Sequence, residues 1–147
     1  MQYDSGILEL AHFPGDFVAG CYVLVATDSA GNISKSDTLC ADNCPEYSLP
    51  NVFSPNGDGF NDAFRPFPYR FIEKIDLRIF NRWGQEVFAT EEPEINWDGK
   101  SKISGSKLTD GVYFYVGTVY EQKLVGLVPR QVKGTIQIIG SENKAQE

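Results

Sequence analysis

The stretch "KIDLRIF" at positions 74–80 alternates strictly from Lys74 through Ile79. Ile75, Leu77 and Ile79 fall on one side of an extended chain, and Lys74, Asp76 and Arg78 on the other. Strand side chains point to opposite faces with a period of two, so this pattern specifies a half-buried strand of an antiparallel sheet. A helix would scatter the same apolar residues around its circumference. Related segments recur with turn residues between them. "YSLPNVF" reads as a first strand, which Pro50 marks as an edge or bent strand because proline has no N–H to donate. "NRWGQ" turns and "EVFAT" returns. "EINWDG" reads as a short strand ending in a turn, "GVYFYVGTVYE" as a long strand with Val112, Phe114 and Val116 on one face, and "VKGTIQIIG" as the last. The ten Phe, seven Tyr and two Trp add to the preference for strands. Strands about ten residues apart, separated by Gly and Asn turns, predict an all-β, immunoglobulin-like antiparallel β-sandwich of about seven strands. No stretch has convincing helical periodicity.

An additional β-hairpin region precedes this unit. Ile7, Leu8 and Leu10 give a short strand, and "DFVAGCYVLVATDSAGNISKSDTL" gives a hairpin with Ser29-Ala30-Gly31-Asn32 at its tip. If Asp28 faces Ile33, Cys21 faces Cys40, and opposed residues of this kind come within reach of a disulfide. Cys44 is then left over, or replaces Cys40 in the pair. The competing reading is three free thiols in a reducing compartment. The single His12 and the cysteine spacing fit no zinc pattern. Three strands bury too little to form a domain alone. Residues 1–46 therefore read as the C-terminal strands of an upstream immunoglobulin- or fibronectin-like module plus a linker, with the break at Asn43-Cys44-Pro45-Glu46. Residues 47–140 read as the second domain, and 141–147 as a polar tail.

Thirteen basic against 20 acidic residues leave a net charge of −7. Such a chain repels phosphate backbones and anionic lipid surfaces, so nucleic acid is not an expected partner. No apolar run reaches the roughly 20 residues that span a bilayer, so direct membrane insertion is not expected. Met1 is followed by Gln-Tyr-Asp rather than by a signal peptide. Either the protein is cytosolic or the chain was cut from something longer.

"LPNVFSPNGDGFNDAF" at positions 49–64 has two readings from physical chemistry. In a calcium loop, Ser54, Asn56, Asp58 and Asp62 would supply oxygens around Gly59, with Phe60 offering a carbonyl. That pattern wants Asp where Ser54 stands and a bidentate Glu where Arg65 stands, so the site is weak; Asn56, Asp58 and Asp62 are its calcium candidates. In a turn, Asn56-Gly57 and Asp58-Gly59 take positive φ while Asn61 and Asp62 bond nearby amides. The turn is the stronger reading.

Catalysis is not expected. His12 is the lone histidine, and Glu91, Glu92 and Glu94 read as a solvated loop around Pro93. Trp83 and Trp97 could stack on sugar rings, which would make the chain a carbohydrate- or protein-binding module of a surface adhesin. The blander alternatives place Trp83 at a hairpin corner and Trp97 in the core. "YEQKLVGLVPRQVKG" brings Leu124, Val125, Leu127 and Val128 close to Lys123, Arg130 and Lys133. It is either a strand extension or an exposed interaction surface.

The ordered segments "LPNVFSPNGDGFNDAF", "IDLRIFNRWGQEVF", "INWDGK", "LTDGVYFYVGTVYE" and "VKGTIQIIG" together resemble the gliding motility-associated C-terminal domain, the type B sorting domain of the type IX secretion system. The resemblance covers residues 47–140, some two thirds of the chain. The positions that match are Pro50, Asn51, Phe53, Pro55, Asn56, Gly57, Asp58, Gly59, Asn61 and Asp62 in the first segment. They continue with Asn81, Arg82, Trp83 and Gly84, then Trp97, Asp98 and Gly99, then Gly111, Tyr113 and Tyr115. The polar tail after Gly140 departs from the family's pattern. "GCYVLVATDSAGNISKSDTLCADNCP" resembles the end of the module that often precedes such domains. The resemblance implies a non-catalytic address. It sends a large cargo protein, brought to the periplasm by an upstream signal peptide, through the type IX outer-membrane translocon to the cell surface or medium. It implies a dedicated partner membrane protein and a monomer. No cofactor is required, and calcium would act only as a stabiliser.

Overall fold

A computed structural model describes residues 19–140; Ile7, Leu8, Leu10, His12 and the tail 141–147 lie outside the described residues. Eleven strands occur among them. In chain order they are β1 (Gly20–Tyr22), β2 (Val25–Thr27), β3 (Ile33–Lys35), β4 (Leu39–Ala41), β5 (Glu46–Tyr47), β6 (Val52–Phe53), β7 (Tyr69–Arg70), β8 (Ile72–Phe80), β9 (Glu86–Thr90), β10 (Gly111–Lys123) and β11 (Gly126–Ile138). No described residue is helical. The fold is all-β, an immunoglobulin-like sandwich, with seven strands from β5 onward.

The main sheet has the order β6-β11-β10-β8-β9. β10 and β11 form an unbroken antiparallel hairpin from Gly111↔Ile138 to Lys123↔Gly126, closed by Leu124 and Val125. β8 pairs with β10 from Phe80↔Phe114 to Ile72↔Glu121, and β9 pairs with β8. One pair departs from the antiparallel expectation: β6 joins β11 in parallel, Val52 opposite Gln137. "YSLPNVF" is therefore not one strand. β5 bonds to β7 in the opposing layer, and the chain then crosses at Leu49 and Pro50 to reach β11. Proline suits the crossing because no ladder needs its missing N–H.

The sandwich closes over one side of the main sheet. Ile75, Leu77 and Ile79 of β8 are buried, as are Tyr113 and Val119 of β10 and Ile136 and Ile138 of β11. On β10 the alternation misleads. Val112, Phe114 and Val116 are apolar, yet they lie on the outer face at 46–48% exposure. The other layer contributes Tyr47, Phe64, Ile95 and Trp97 to the core. "EINWDG" forms no strand, because Ile95 and Asn96 both have positive φ, 59° and 52°. That kink delivers Trp97 to an isolated backbone bridge with Phe64 and sinks its ring to 1% exposure. Gly117 is needed where the sheet is crowded: a Cβ there would lie 2.5 Å from the Asp76 carbonyl oxygen.

The upstream hairpin is two short ladders, not one. Cys21 pairs with Cys40 and is joined to it by a disulfide, with Cα atoms 4.0 Å apart. Nearer the tip, Thr27, not Asp28, stands opposite Ile33. The slip occurs at Ser36. Its N–H donates to the Leu24 carbonyl and its Oγ accepts the Leu24 N–H, leaving Asp37 and Thr38 to bulge against Val23. The Asp28 carboxylate then caps the tip, accepting the amides of Ala30 and Asn32.

Two outcomes test this architecture. Trp97→Ala should cost about 3–5 kcal/mol in urea unfolding, as expected for deleting a fully buried large ring. Alkylation of the native chain should label Cys44 alone, the free and exposed cysteine, with Cys21 and Cys40 reacting only after reduction; labelling of all three without reductant would contradict the disulfide.

Candidate functional site

The loop between Phe53 and Phe64 is built by its own side chains. The Ser54 N–H donates to the Asn61 carbonyl at 2.9 Å and closes the loop. Inside it, Asp62 Oδ1 accepts the Gly57 amide at 2.6 Å and Asp62 Oδ2 accepts the Gly59 amide at 2.7 Å. Both glycines have positive φ, 82° and 89°, which turns their N–H groups inward and explains why glycine stands at each. Asn56 Oδ1 accepts the Asp58 amide, Asn56 Nδ2 donates to Asp58 Oδ2, and Asp58 Oδ1 accepts the Phe60 amide. Asn61 itself is left-handed, φ 51°.

The amides of Gly57 and then Gly59 hold the Asp62 carboxyl below its ordinary value, because hydrogen bonds to the charged form favour it. The same bonds bear on calcium. Every side-chain oxygen of Asn56, Asp58 and Asp62 already accepts a hydrogen bond. Among the described residues, no group of three His, Cys, Asp or Glu is placed to hold a metal. Each of these oxygens spends one of its two lone pairs on the loop itself, which makes the segment a self-capped turn.

The remaining candidate residues sort into three environments. Phe53, Trp97, Tyr113 and Tyr115 belong to the aromatic core: the Trp97 ring lies 5.3 Å from Phe53, 5.5 Å from Phe88 and 6.1 Å from Tyr113, and Tyr115 lies 6.4 Å from Phe64. Others shape turns. Asn81 Oδ1 accepts the amides of Trp83 and Gln85, and Gly84 follows at φ 78°. Asp98 Oδ1 accepts the Lys100 amide, and Gly99 at φ 75° lets Pro55 approach to 3.0 Å from where a Cβ would stand. Gly111 begins β10. Pro50 lies at the sheet crossing, and Asn51 offers its carbonyl to the Gln137 amide. Only Trp83 and Arg82 stand out to solvent as a pair. The Trp83 ring is 75% exposed, with the Arg82 guanidinium 4.3 Å from its centroid.

The hairpin end is mainly strand extension. Arg130 pairs with the buried Glu121, while Leu124, Val125 and Leu127 remain exposed. The tip is not free on all sides. Asp42 Oδ1 accepts the Leu124 amide at 2.7 Å, and the buried Asn43 donates to the Gln122 carbonyl at 3.1 Å. Glu91, Glu92 and Glu94 are exposed around Pro93, whose carbonyl accepts the Tyr47 hydroxyl. Sequence reasoning did not single out Phe67, 87% exposed, or Arg65 beside it. An exposed phenyl carries no sequence mark that separates it from a core one.

The loop gives a signed pH prediction. A carboxylate whose folded pKa is depressed stabilises the fold above its unfolded pKa and loses that contribution as pH falls through the folded value. Asp62→Asn, which turns a donor toward a glycine amide, should therefore lower Tm near neutral pH. The gap to the parent chain should close as pH falls below the ordinary carboxylate range near 4. Added calcium or chelator should leave the melt unchanged; a calcium-dependent rise in Tm would show that the loop binds the ion.

A family model described as the CHU_C type IX secretion signal domain matches residues 47–138. No curated protein matches the chain. The matched span begins at β5 and ends at the last residue of β11, so it takes in the whole sandwich, the self-capped loop and the Trp97 core. The chain belongs to the CHU_C family of type IX secretion signal domains.

Proposed function

We propose that residues 47–140 act as a folded address that carries a large cargo protein across the outer membrane through the type IX translocon, to the cell surface or the medium. The family match carries this reading. A secretion signal of this kind is not catalytic, and its work is recognition by a surface. The cargo would reach the periplasm by an upstream signal peptide, and a dedicated partner membrane protein would meet the domain there. The disulfide at Cys21–Cys40 supports passage through an oxidising compartment, where such bonds form and persist. In this reading the domain acts as a monomer and requires no cofactor.

The upstream hairpin fits the cargo side. Leu24, Val25, Ile33 and Leu39 are 57–73% exposed, far more than a finished module leaves on one hairpin. In this proposal those side chains belong to the last strands of an immunoglobulin- or fibronectin-like module whose other strands cover them, and residues 42–46 join it to the address.

The exposed Trp83 ring favours a second reading, a sugar-binding module. Titration with polysaccharides, followed by tryptophan fluorescence, separates the two. Trp97 is sealed in the core, so saturable quenching would report Trp83 and support sugar binding. An export assay tests the main proposal. Residues 47–147 are fused behind a signal peptide and a fluorescent reporter in hosts with and without the type IX apparatus. The expected outcome is reporter outside the cell only when the apparatus is present. Reporter held in the periplasm of both hosts would overturn sufficiency of this domain as an address.

A further inference from the structure

β6 is a sheet edge with an unspent peptide group. Its parallel ladder to β11 runs from the Gln137 N–H to the Asn51 carbonyl and from the Ile139 N–H to the Phe53 carbonyl. Successive peptide groups of a strand point to opposite sides, so the N–H and C=O of Val52 face away from β11, toward the open edge. A cleft of about 490 Å³ lies along that edge, between β6 and the returning segment 59–67. Pro50, Val52, Ala63 and Phe67 make its apolar walls, and Arg65 and Asp62 bring charge to it. The two charges differ in what they have left to give. Asp62 spends both oxygens on the glycine amides. Arg65 is exposed and, among the described residues, pairs with no carboxylate.

We propose that this cleft is a docking site for an extended acidic peptide segment of a protein partner, added as a strand along β6 with a carboxylate side chain on Arg65. Each part of the cleft matches one part of such a ligand. The Val52 N–H and C=O offer the two main-chain bonds that begin strand addition. The walls at Pro50, Val52 and Phe67 take apolar side chains on one side of the added strand. The guanidinium takes the acid through charge-assisted bonds, which a neutral side chain would not match. A basic side chain at the same position would instead bring a like charge against Arg65. The inference rests on the export reading only in naming the partner as part of the machinery that reads the domain; binding in the cleft stands or falls by itself.

The test uses the full chain, isotopically labelled, and three end-blocked pentapeptides of alternating valine with glutamate, glutamine or lysine. The glutamate peptide should shift the amide resonances of Val52, Ala63 and Phe67 saturably. Kd should rise by about tenfold or more for the glutamine peptide, or for the Arg65→Gln variant. Arg65→Glu should move the preference to the lysine peptide, a charge swap that a merely unfolded variant cannot produce. Arg65 is exposed, so the melting temperature of both variants should stay at the parent value. No saturable shift at millimolar peptide, equal affinity for the glutamate and glutamine peptides, or shifts confined to β11 or the outer face would each overturn the proposal. In the export assay, parent fusion exported and Arg65→Glu fusion retained would tie the cleft to the export machinery, whereas equal export of both would sever that link. Parent fusion not exported would sink the address reading and leave the peptide titration to judge the cleft.

Discussion

The indole of Trp97 is what the two layers share. Its ring lies against Phe53, Phe64, Phe88 and Tyr113, so β6, the opposing layer, β9 and β10 all touch one side chain. Burying tryptophan leaves a polar N–H that must find an acceptor, and here Nε1 donates to the Lys100 carbonyl at 2.8 Å. That bond fixes the chain three residues downstream. The turn at Asp98-Gly99 exists to bring Lys100 back beneath the ring, and its glycine leaves room for Pro55. The positive φ of Ile95 and Asn96 costs backbone energy that the buried aromatic contacts offset. The matched sequence segments, scattered over the chain, are thus parts of one packing arrangement.

How much of this was legible in the sequence depended on the kind of signal. The alternation of β8 identified its buried face because polar and apolar residues strictly exchange there. β10 carries Val112, Phe114 and Val116 on one side and Tyr113, Tyr115 and Val119 on the other, so period alone could not choose between two apolar faces. The loop at 54–62 was legible as a turn, since Asn, Asp and Gly mark positive φ; the direction of each amide, which decides what the carboxylates are free to do, was not. The parallel joining of β6 to β11 links Val52 to Gln137, and no local pattern reports a pairing across that separation. The hairpin slip at Ser36 hung on one hydroxyl bonding back to Leu24. Trp83 and Trp97 show the limit most plainly: the same residue type, each beside a turn, is 75% exposed in one case and 1% in the other.

Most of the residues that carry the resemblance read from the sequence serve the scaffold. They are core rings, turn formers and one close-approach glycine, Gly99, and they shape the fold rather than its presented surface. What the domain can present is a smaller set: Trp83 with Arg82 at one corner, the outer face around Phe114, and the β6 edge with Arg65 and Phe67. A recognition domain built this way separates its two tasks. Its core can be fixed tightly while the presented surface changes from one protein to another, because surface substitutions away from packing features shift stability little.

The bonds from Asp42 and Asn43 to Leu124 and Gln122 give the molecule a direction. They hold the chain leading in from the upstream hairpin against the tip of β10 and β11. The loop at 54–62 and the β6 edge lie at the other end of that 13-residue ladder, roughly 40 Å away at strand rise. The sandwich thus has a stern and a prow. The chain from the upstream hairpin enters at the stern, where these two bonds hold it, far from the prow. A load pulled from the prow passes lengthwise along the β10–β11 ladder, where many backbone bonds resist together instead of opening one at a time.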